Sequence, residues 1–141
     1  MTKFSDTAKK YYEDGLSCSE AIINAAHDCN ISNFGNIEDV QRIASMFSGG
    51  MSSGCLCGAV AGSQIVLGSI LGRGIADQSR KNREIAALFI QKFKAQIKIT
   101  CFNGLSAPFK NIPEERRKNC ANIVEECAII VEDVIKSHIN I

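Results

Sequence analysis

The stretch LCGAVAGSQIVLGSILG, residues 56–72, decides the fold, because it carries no charge and consists largely of small and aliphatic residues. Its glycines stand at positions 58, 62, 68 and 72 and form two GxxxG pairs. Glycines four residues apart leave one face of a helix without side chains, so that neighbouring helices can approach closely. The stretch therefore predicts a central, buried helix that begins at about Cys55 or Leu56 and extends to Gly72.

The charge-free run is longer than this helix and extends from Ile43 to Gly72, which is long enough to raise the question of a transmembrane span. Glycines and serines are frequent in the run, and hydroxyl groups at this density oppose insertion into lipid. The N-terminal segment MTKFSDTAKKYYEDG has no apolar core of a secretory signal. We therefore expect a cytoplasmic protein without membrane association.

Helical spacing recurs along the rest of the chain, and strand-type alternation is hard to find. Ser17 and Glu20 form a capping box for a second helix, Asn36 and Asp77 can cap a third and a fifth, and Pro113 suits the first turn of the last. The segment SGGMSSG, residues 48–54, is predicted as a loop. Apolar stripes support the helices and comprise Phe4, Ala8, Tyr11 and Tyr12; Cys18, Ile22, Ala25 and Cys29; Ile43, Met46 and Phe47; Ile85, Phe89, Phe93 and Ile97; and Cys120, Ile123, Val124, Cys127, Ile130, Val131, Val134 and His138. The prediction is an all-α bundle of about six helices, with residues 1–141 in a single domain.

Composition excludes several classes of function. The net charge is +1, aromatic residues make up 6%, and tryptophan is absent, which argues against nucleic acid as a partner. No Ser-His-Asp spacing, phosphate loop or GxGxxG motif indicates a hydrolase or a nucleotide enzyme. The charged run from Glu114 to Lys118 is expected to be solvated helix surface, and neither histidine is expected to bind a metal.

The seven cysteines are the main chemical feature of the sequence. Without an export signal they indicate a reducing compartment, where static disulfides are rare and thiols more often pack, bind metals or react. Cys18 and Cys29 share a helix face but lie roughly 16 Å apart along its axis, and Cys120 and Cys127 about 10 Å. Neither pair can form a disulfide or bind one metal ion together. At most one member of each pair therefore belongs to a shared site.

The position of each cysteine along its helix indicates which thiols can be reactive. Cys18 and Cys57 stand at predicted helix starts, where unpaired N–H groups and the helix dipole can lower a thiol pKa from about 8.5 to about 3.5–7.5. Cys101 follows a helix in a loop segment and can reach inward. Cys29 is assigned to packing, while helix geometry alone does not choose between Cys120 and Cys127.

Four pieces of the sequence in order, GLSCSEA at residues 15–21, CGAVAG at 57–62, Cys101 and Cys120, resemble the redox-active protein family C_GCAxxG_C_C. Its members carry four characteristic cysteines around a CGAxxG motif. The resemblance covers nearly the whole chain and implies that Cys18, Cys57, Cys101 and Cys120 form the site. It selects Cys120, so Cys127 is left to packing, and Cys55 is an addition to the family pattern.

The resemblance implies redox chemistry by four convergent cysteines. They would either hold an iron–sulfur cluster or carry out thiol–disulfide exchange that starts from an activated thiolate, Cys18 or Cys57. We favour the cluster at this point, since four thiols exceed what a dithiol switch requires. The alternatives are a structural zinc site with the same ligands and a helical interaction protein without redox activity. An unidentified redox partner is expected, and the small-residue helix can also serve a homodimer interface.

Overall fold

The computed structural model describes residues 2–54, 56–74, 80–97 and 112–139. These residues contain six α-helices and no β-strand, which confirms the predicted all-α bundle. The helices are α1 (Lys3–Glu13), α2 (Cys18–Asp28), α3 (Ile37–Ser45), α4 (Gly58–Leu71), α5 (Lys81–Gln96) and α6 (Pro113–Ile139).

Side-chain caps fix the starts of the early helices. The Ser17 hydroxyl accepts a hydrogen bond from the Glu20 N–H, and the Glu20 carboxylate accepts one from the Ser17 N–H at 2.9 Å, so the predicted capping box is confirmed. The Asn36 side chain caps α3, also as predicted. Helix α5 begins at Lys81 without a side-chain cap from Arg80. The cap predicted at Asp77 lies outside the described residues.

Helix α4 begins at Gly58, later than the predicted start at Cys55 or Leu56. The preceding residues Gly50–Gly54 form a π-type turn with non-helical backbone angles at Met51 and Ser52, which agrees with the predicted loop over residues 48–54. Met51 and Ser52 have positive φ values of 58° and 55° in this turn, a conformation that costs an L-residue about 1–2 kcal/mol. The chain then leaves the turn in an extended conformation, with ψ 129° at Cys57, so the helix cannot start earlier.

Helices α2 and α4 occupy the middle of the bundle. Helix α2 contacts α1, α3, α4 and α6, and α4 contacts α2, α5 and α6. The first turns of α4 are buried from Gly58 to Ser63, which confirms the predicted central helix for this half. The second GxxxG pair does not bring helices together, because Gly68 is exposed with open space around it and Gly72 lies after the last helical residue.

The buried side chains of the described ranges form one hydrophobic cluster that draws on most of the predicted stripes. The stripe predicted for α3 was wrong, because Ile43 and Met46 are exposed. Ile85, Phe89 and Phe93 of α5 are buried, and the rings of Phe89 and Phe93 stack with centroids 6.3 Å apart. The stripe on α6 is buried from Cys120 to Val134. No helix within the described part of the chain has the length and apolarity to cross a membrane.

Candidate functional site

Cys18 is the first residue of α2, directly after the Ser17 cap. The start of α4 lies against it, because a Cβ atom added to Gly58 would stand 3.6 Å from the Cys18 Cβ. The same added Cβ would stand 3.0 Å from the Phe47 carbonyl oxygen. Only glycine at position 58 lets the N-terminus of α4 come this close to Cys18 and to the chain after α3.

Cys57 is the N-cap residue of α4 and is 3% exposed. Burial raises the pKa of its thiol, while hydrogen bonds from the backbone N–H groups of Val60 and Ala59 act in the opposite direction. The expected effect of the helix start is therefore present but smaller than the cost of burying a thiolate. The sequence predicted that the helix start lowers the pKa of Cys57 and makes it an activated thiolate. This prediction was wrong, because the pKa of Cys57 is raised.

Cys120 lies on α6, with 7% of its surface exposed, and meets Cys18 and Tyr12. A hydrogen bond from the Cys18 thiol, a second from the Tyr12 hydroxyl and the charge of Arg116 lower the pKa of Cys120 to about 6, although burial opposes them. All three favour negative charge on the Cys120 sulfur.

Cys18 has the complementary role. The pKa of its thiol lies well above the usual value, because the thiol donates its hydrogen bond to Cys120, because it is partly buried, and because negative charge on Cys120 and Cys57 disfavours a second thiolate. The prediction of a lowered pKa at Cys18 was thus wrong as well. The two opposite pKa shifts favour the proton on Cys18 and negative charge on Cys120.

Cys127 lies closer to the site than its assignment to packing suggests. It is fully buried in the core cluster, and burial together with the charge of Cys57 raises its thiol pKa well above the usual value. Negative charge on Cys127 would also raise the pKa of the Cys18 thiol. Cys29 lies at the other end of α2, where its thiol donates to the Thr7 hydroxyl oxygen at 3.8 Å.

Three of the four predicted site residues, Cys18, Cys57 and Cys120, thus lie close enough for their charges to interact. The fourth, Cys101, lies outside the described residues, as does Cys55. The five cysteines within the described ranges are free thiols. Among the residues that the structure describes, no group of three or more His, Cys, Asp or Glu side chains is arranged to hold a metal ion.

Sequence analysis missed the two residues that act on Cys120 beside Cys18. Tyr12 was assigned only to an apolar stripe, and Arg116 only to solvated surface, where it indeed lies exposed. A signal for Arg116 was available, because a residue four positions before Cys120 lies next to it on the helix surface. Tyr12 gave no such signal, since its proximity to Cys120 depends on how α1 packs on α6.

A protein-family model described as "Putative redox-active protein (C_GCAxxG_C_C)" matches residues 16–134. Searches of the curated proteins and of the solved structures gave no significant match. The family match spans most of the chain and includes all four predicted site cysteines, and the chain therefore belongs to the C_GCAxxG_C_C family.

Proposed function

We propose that the protein carries out thiol–disulfide exchange, with Cys120 as the attacking thiolate and Cys18 as the second thiol of the pair. The supporting observation is the hydrogen-bonded pair itself, in which the pKa of Cys120 falls to about 6 while that of Cys18 rises. A nucleophile that is ionised at neutral pH beside a protonated partner is what the two steps of exchange require.

The proposed reaction begins when the Cys120 thiolate attacks one sulfur of a disulfide substrate. A mixed disulfide forms, and the first substrate thiolate leaves. Cys18 then attacks the Cys120 sulfur, releases the second substrate thiolate and gives up its proton to a departing thiolate. The substrate disulfide gains two electrons, and the Cys18–Cys120 dithiol loses them by forming a disulfide. An external dithiol reductant restores the starting state.

Cys57 has a supporting role in this proposal rather than the role of nucleophile that the sequence predicted. It is more deeply buried than Cys120, and its pKa is raised rather than lowered. A Cys57 thiolate would disfavour a second thiolate at Cys18, but the raised pKa of Cys57 keeps this thiol protonated. A neutral Cys57 thiol therefore leaves Cys120 as the preferred place for the negative charge.

The pH dependence of alkylation tests the proposed nucleophile. A thiol reacts with iodoacetamide as its thiolate, so the labelling rate of Cys120 should rise with pH, pass its midpoint at about pH 6 and level off above pH 7. Cys127 on the same helix is the internal control and should remain unlabelled over this range, because burial raises its pKa. Peptide mass spectrometry reports both sites in one sample. A midpoint near 8.5, the value of an ordinary thiol, would contradict the proposal.

The iron–sulfur cluster and the zinc site that the four family cysteines suggest stay predictions. Anaerobic purification followed by analysis of iron, sulfide and zinc decides between them and the metal-free dithiol. Metal-free protein with rapid labelling of Cys120 supports thiol–disulfide exchange. Stoichiometric iron and sulfide, with Cys120 protected from labelling until the cluster is removed, would replace the proposal by electron transfer through a cluster.

A further inference from the structure

Gly68, in the second GxxxG pair, has no part in helix packing or in the cysteine site. It lies about 15 Å along the axis of α4 from Gly58, the residue beside Cys18, at about 1.5 Å per residue. A Cβ added to Gly68 would meet nothing within 4 Å, whereas one added to Gly62 would stand 3.0 Å from the backbone of α2. The open space beside Gly68 is therefore a separate feature of the fold.

This space is part of a cavity of about 530 Å³ between α4 and α5. The lining residues of α4 stand at positions 64, 67, 68 and 71, and those of α5 stand at positions 82, 85 and 86. Residues three and four apart share one face of a helix, so the cavity lies where the side chains of two packed helices would otherwise meet. Because Gly68 stands within the α4 face and has no side chain, the space there is left open.

The walls of the cavity are mostly apolar, and Leu67 and Ile85 are the buried side chains among them. Gln64 holds the two helices together at one end, since its Nε2 donates a hydrogen bond to the Ala86 carbonyl oxygen at 3.0 Å. Among the described residues that line the cavity, Arg73 alone carries a charge, and none carries a carboxylate. Arg73 is exposed and has an interaction within the chain, so we assign no charge to a ligand on its account.

Asn82, in the first turn of α5, adds an unsatisfied polar atom to this lining. Its side-chain oxygen Oδ1 is buried and has no hydrogen-bond partner. A buried acceptor without a partner destabilises a fold, and most such atoms in proteins are hydrogen-bonded. The amide nitrogen of Gln64, the other neutral polar side chain of the cavity, already donates to Ala86. A donor on a molecule bound in the cavity would satisfy the Asn82 oxygen.

We infer that the cavity between α4 and α5 binds a small neutral molecule that carries an N–H or O–H donor on an apolar or aromatic body. The donor meets Asn82 Oδ1, and the body fills the space over Gly68 between Leu67 and Ile85. A carboxylate has no proton to offer the Asn82 oxygen, and a cation finds no carboxylate among the described lining residues.

The size of the cavity fits this class of ligand, because small-molecule sites enclose about 300–1,000 Å³ and are lined mainly by apolar groups with a few polar ones. The site is separate from the cysteines, so its occupation does not depend on the proposed thiol–disulfide exchange.

The test uses benzamide, which joins an uncharged N–H donor to an aromatic ring. Its binding to the full chain is followed by the backbone amide shifts of the isotope-labelled protein. Toluene, which has the ring without a donor, and benzoate, which has a charge in place of the donor, are titrated in parallel. We expect benzamide to bind with a dissociation constant of about 1 mM and to shift the resonances of Gly68 and Asn82. Toluene and benzoate should bind at least about tenfold more weakly.

Two variants test the two parts of the site. Asn82→Leu keeps the approximate size of the side chain and removes the acceptor, so it should weaken benzamide binding about tenfold. Its urea unfolding midpoint should not fall, because a buried oxygen without a partner is removed. Gly68→Leu places a side chain in the cavity and should abolish binding. Asn33→Leu makes the same change at an exposed asparagine outside the cavity and should leave the affinity unchanged.

Saturable binding of benzamide that Asn82→Leu weakens and Asn33→Leu leaves unchanged supports the inference. The absence of saturable binding to the wild-type protein would overturn it. Equal affinities for benzamide and toluene, or unchanged binding of benzamide to Asn82→Leu, would overturn it as well, because the buried oxygen would then not recognise the donor. Asn82→Leu decides between these outcomes by itself, so the test stands even where Gly68→Leu fails to fold.

Discussion

Cys120→Ser is expected to abolish the rapid reduction of an aromatic disulfide such as dithiobis(nitrobenzoate). At pH 6 about half of Cys120 is thiolate, against about 0.3% of an ordinary thiol with a pKa of about 8.5. This is an advantage of about 160-fold in thiolate, of which the weaker nucleophilicity of a low-pKa thiolate removes about tenfold. We therefore expect a net advantage of about 16-fold at pH 6, and stopped-flow absorbance at this pH should show its loss.

The number of coloured thiolates released separates the roles of the two cysteines. The wild-type protein should release two per molecule in the rapid phase, one when Cys120 attacks and one when Cys18 displaces it. Cys18→Ser should release only one and retain the mixed disulfide on Cys120. Cys127→Ser is the matched control on the same helix and should behave as wild type. A rapid phase that survives Cys120→Ser, or that disappears with Cys127→Ser, would contradict the assignment.

Gly62→Ala is expected to destabilise the fold by about 1–3 kcal/mol, because α2 passes directly over this position. An added Cβ would stand 3.0 Å from the Ser19 carbonyl oxygen and 3.1 Å from the Ser19 Cα, and both are backbone atoms that cannot turn aside. The gain of up to about 1 kcal/mol from a better helix former opposes this cost but does not exceed it. The free energy of unfolding in urea measures the difference.

Gly68→Ala is the control in the same helix. Nothing lies within 4 Å of the added Cβ, so only the helix propensity changes, and we expect stabilisation by about 0.5–1 kcal/mol. If Gly62→Ala proved as stable as wild type while Gly68→Ala gained stability, α2 and α4 would not pack as closely as the structure places them.

Much of the fold could be predicted from the sequence, because local signals determine it. The Ser17 cap and the stripe of Ile85, Phe89 and Phe93 identify helices through contacts within one segment or through burial of one face. The start of α4 could not be predicted, since Met51 and Ser52 adopt positive φ without being glycines. The difference in packing between the two GxxxG pairs could not be predicted either, because it depends on whether another helix lies opposite each pair.

The candidate site, like the fold, could be predicted from the sequence only in part. The family cysteines indicate which thiols to consider, and Cys18, Cys57 and Cys120 do lie within electrostatic reach of one another. Which of them carries the negative charge could not be predicted from helix starts. At Cys57 the rise in pKa caused by burial is larger than the fall caused by the backbone N–H groups of the helix start. Cys120, in the interior of α6, owes its low pKa to Cys18, Tyr12 and Arg116. Those contacts arise only when α1, α2 and α6 pack together.

The most direct test of the central claim is to map the disulfide that forms when the reduced protein is treated with one equivalent of diamide. The account predicts a peptide that links Cys18 to Cys120, with Cys29 and Cys127 recovered as free thiols. Disulfides between other cysteines, with Cys18 and Cys120 both left free, would contradict it.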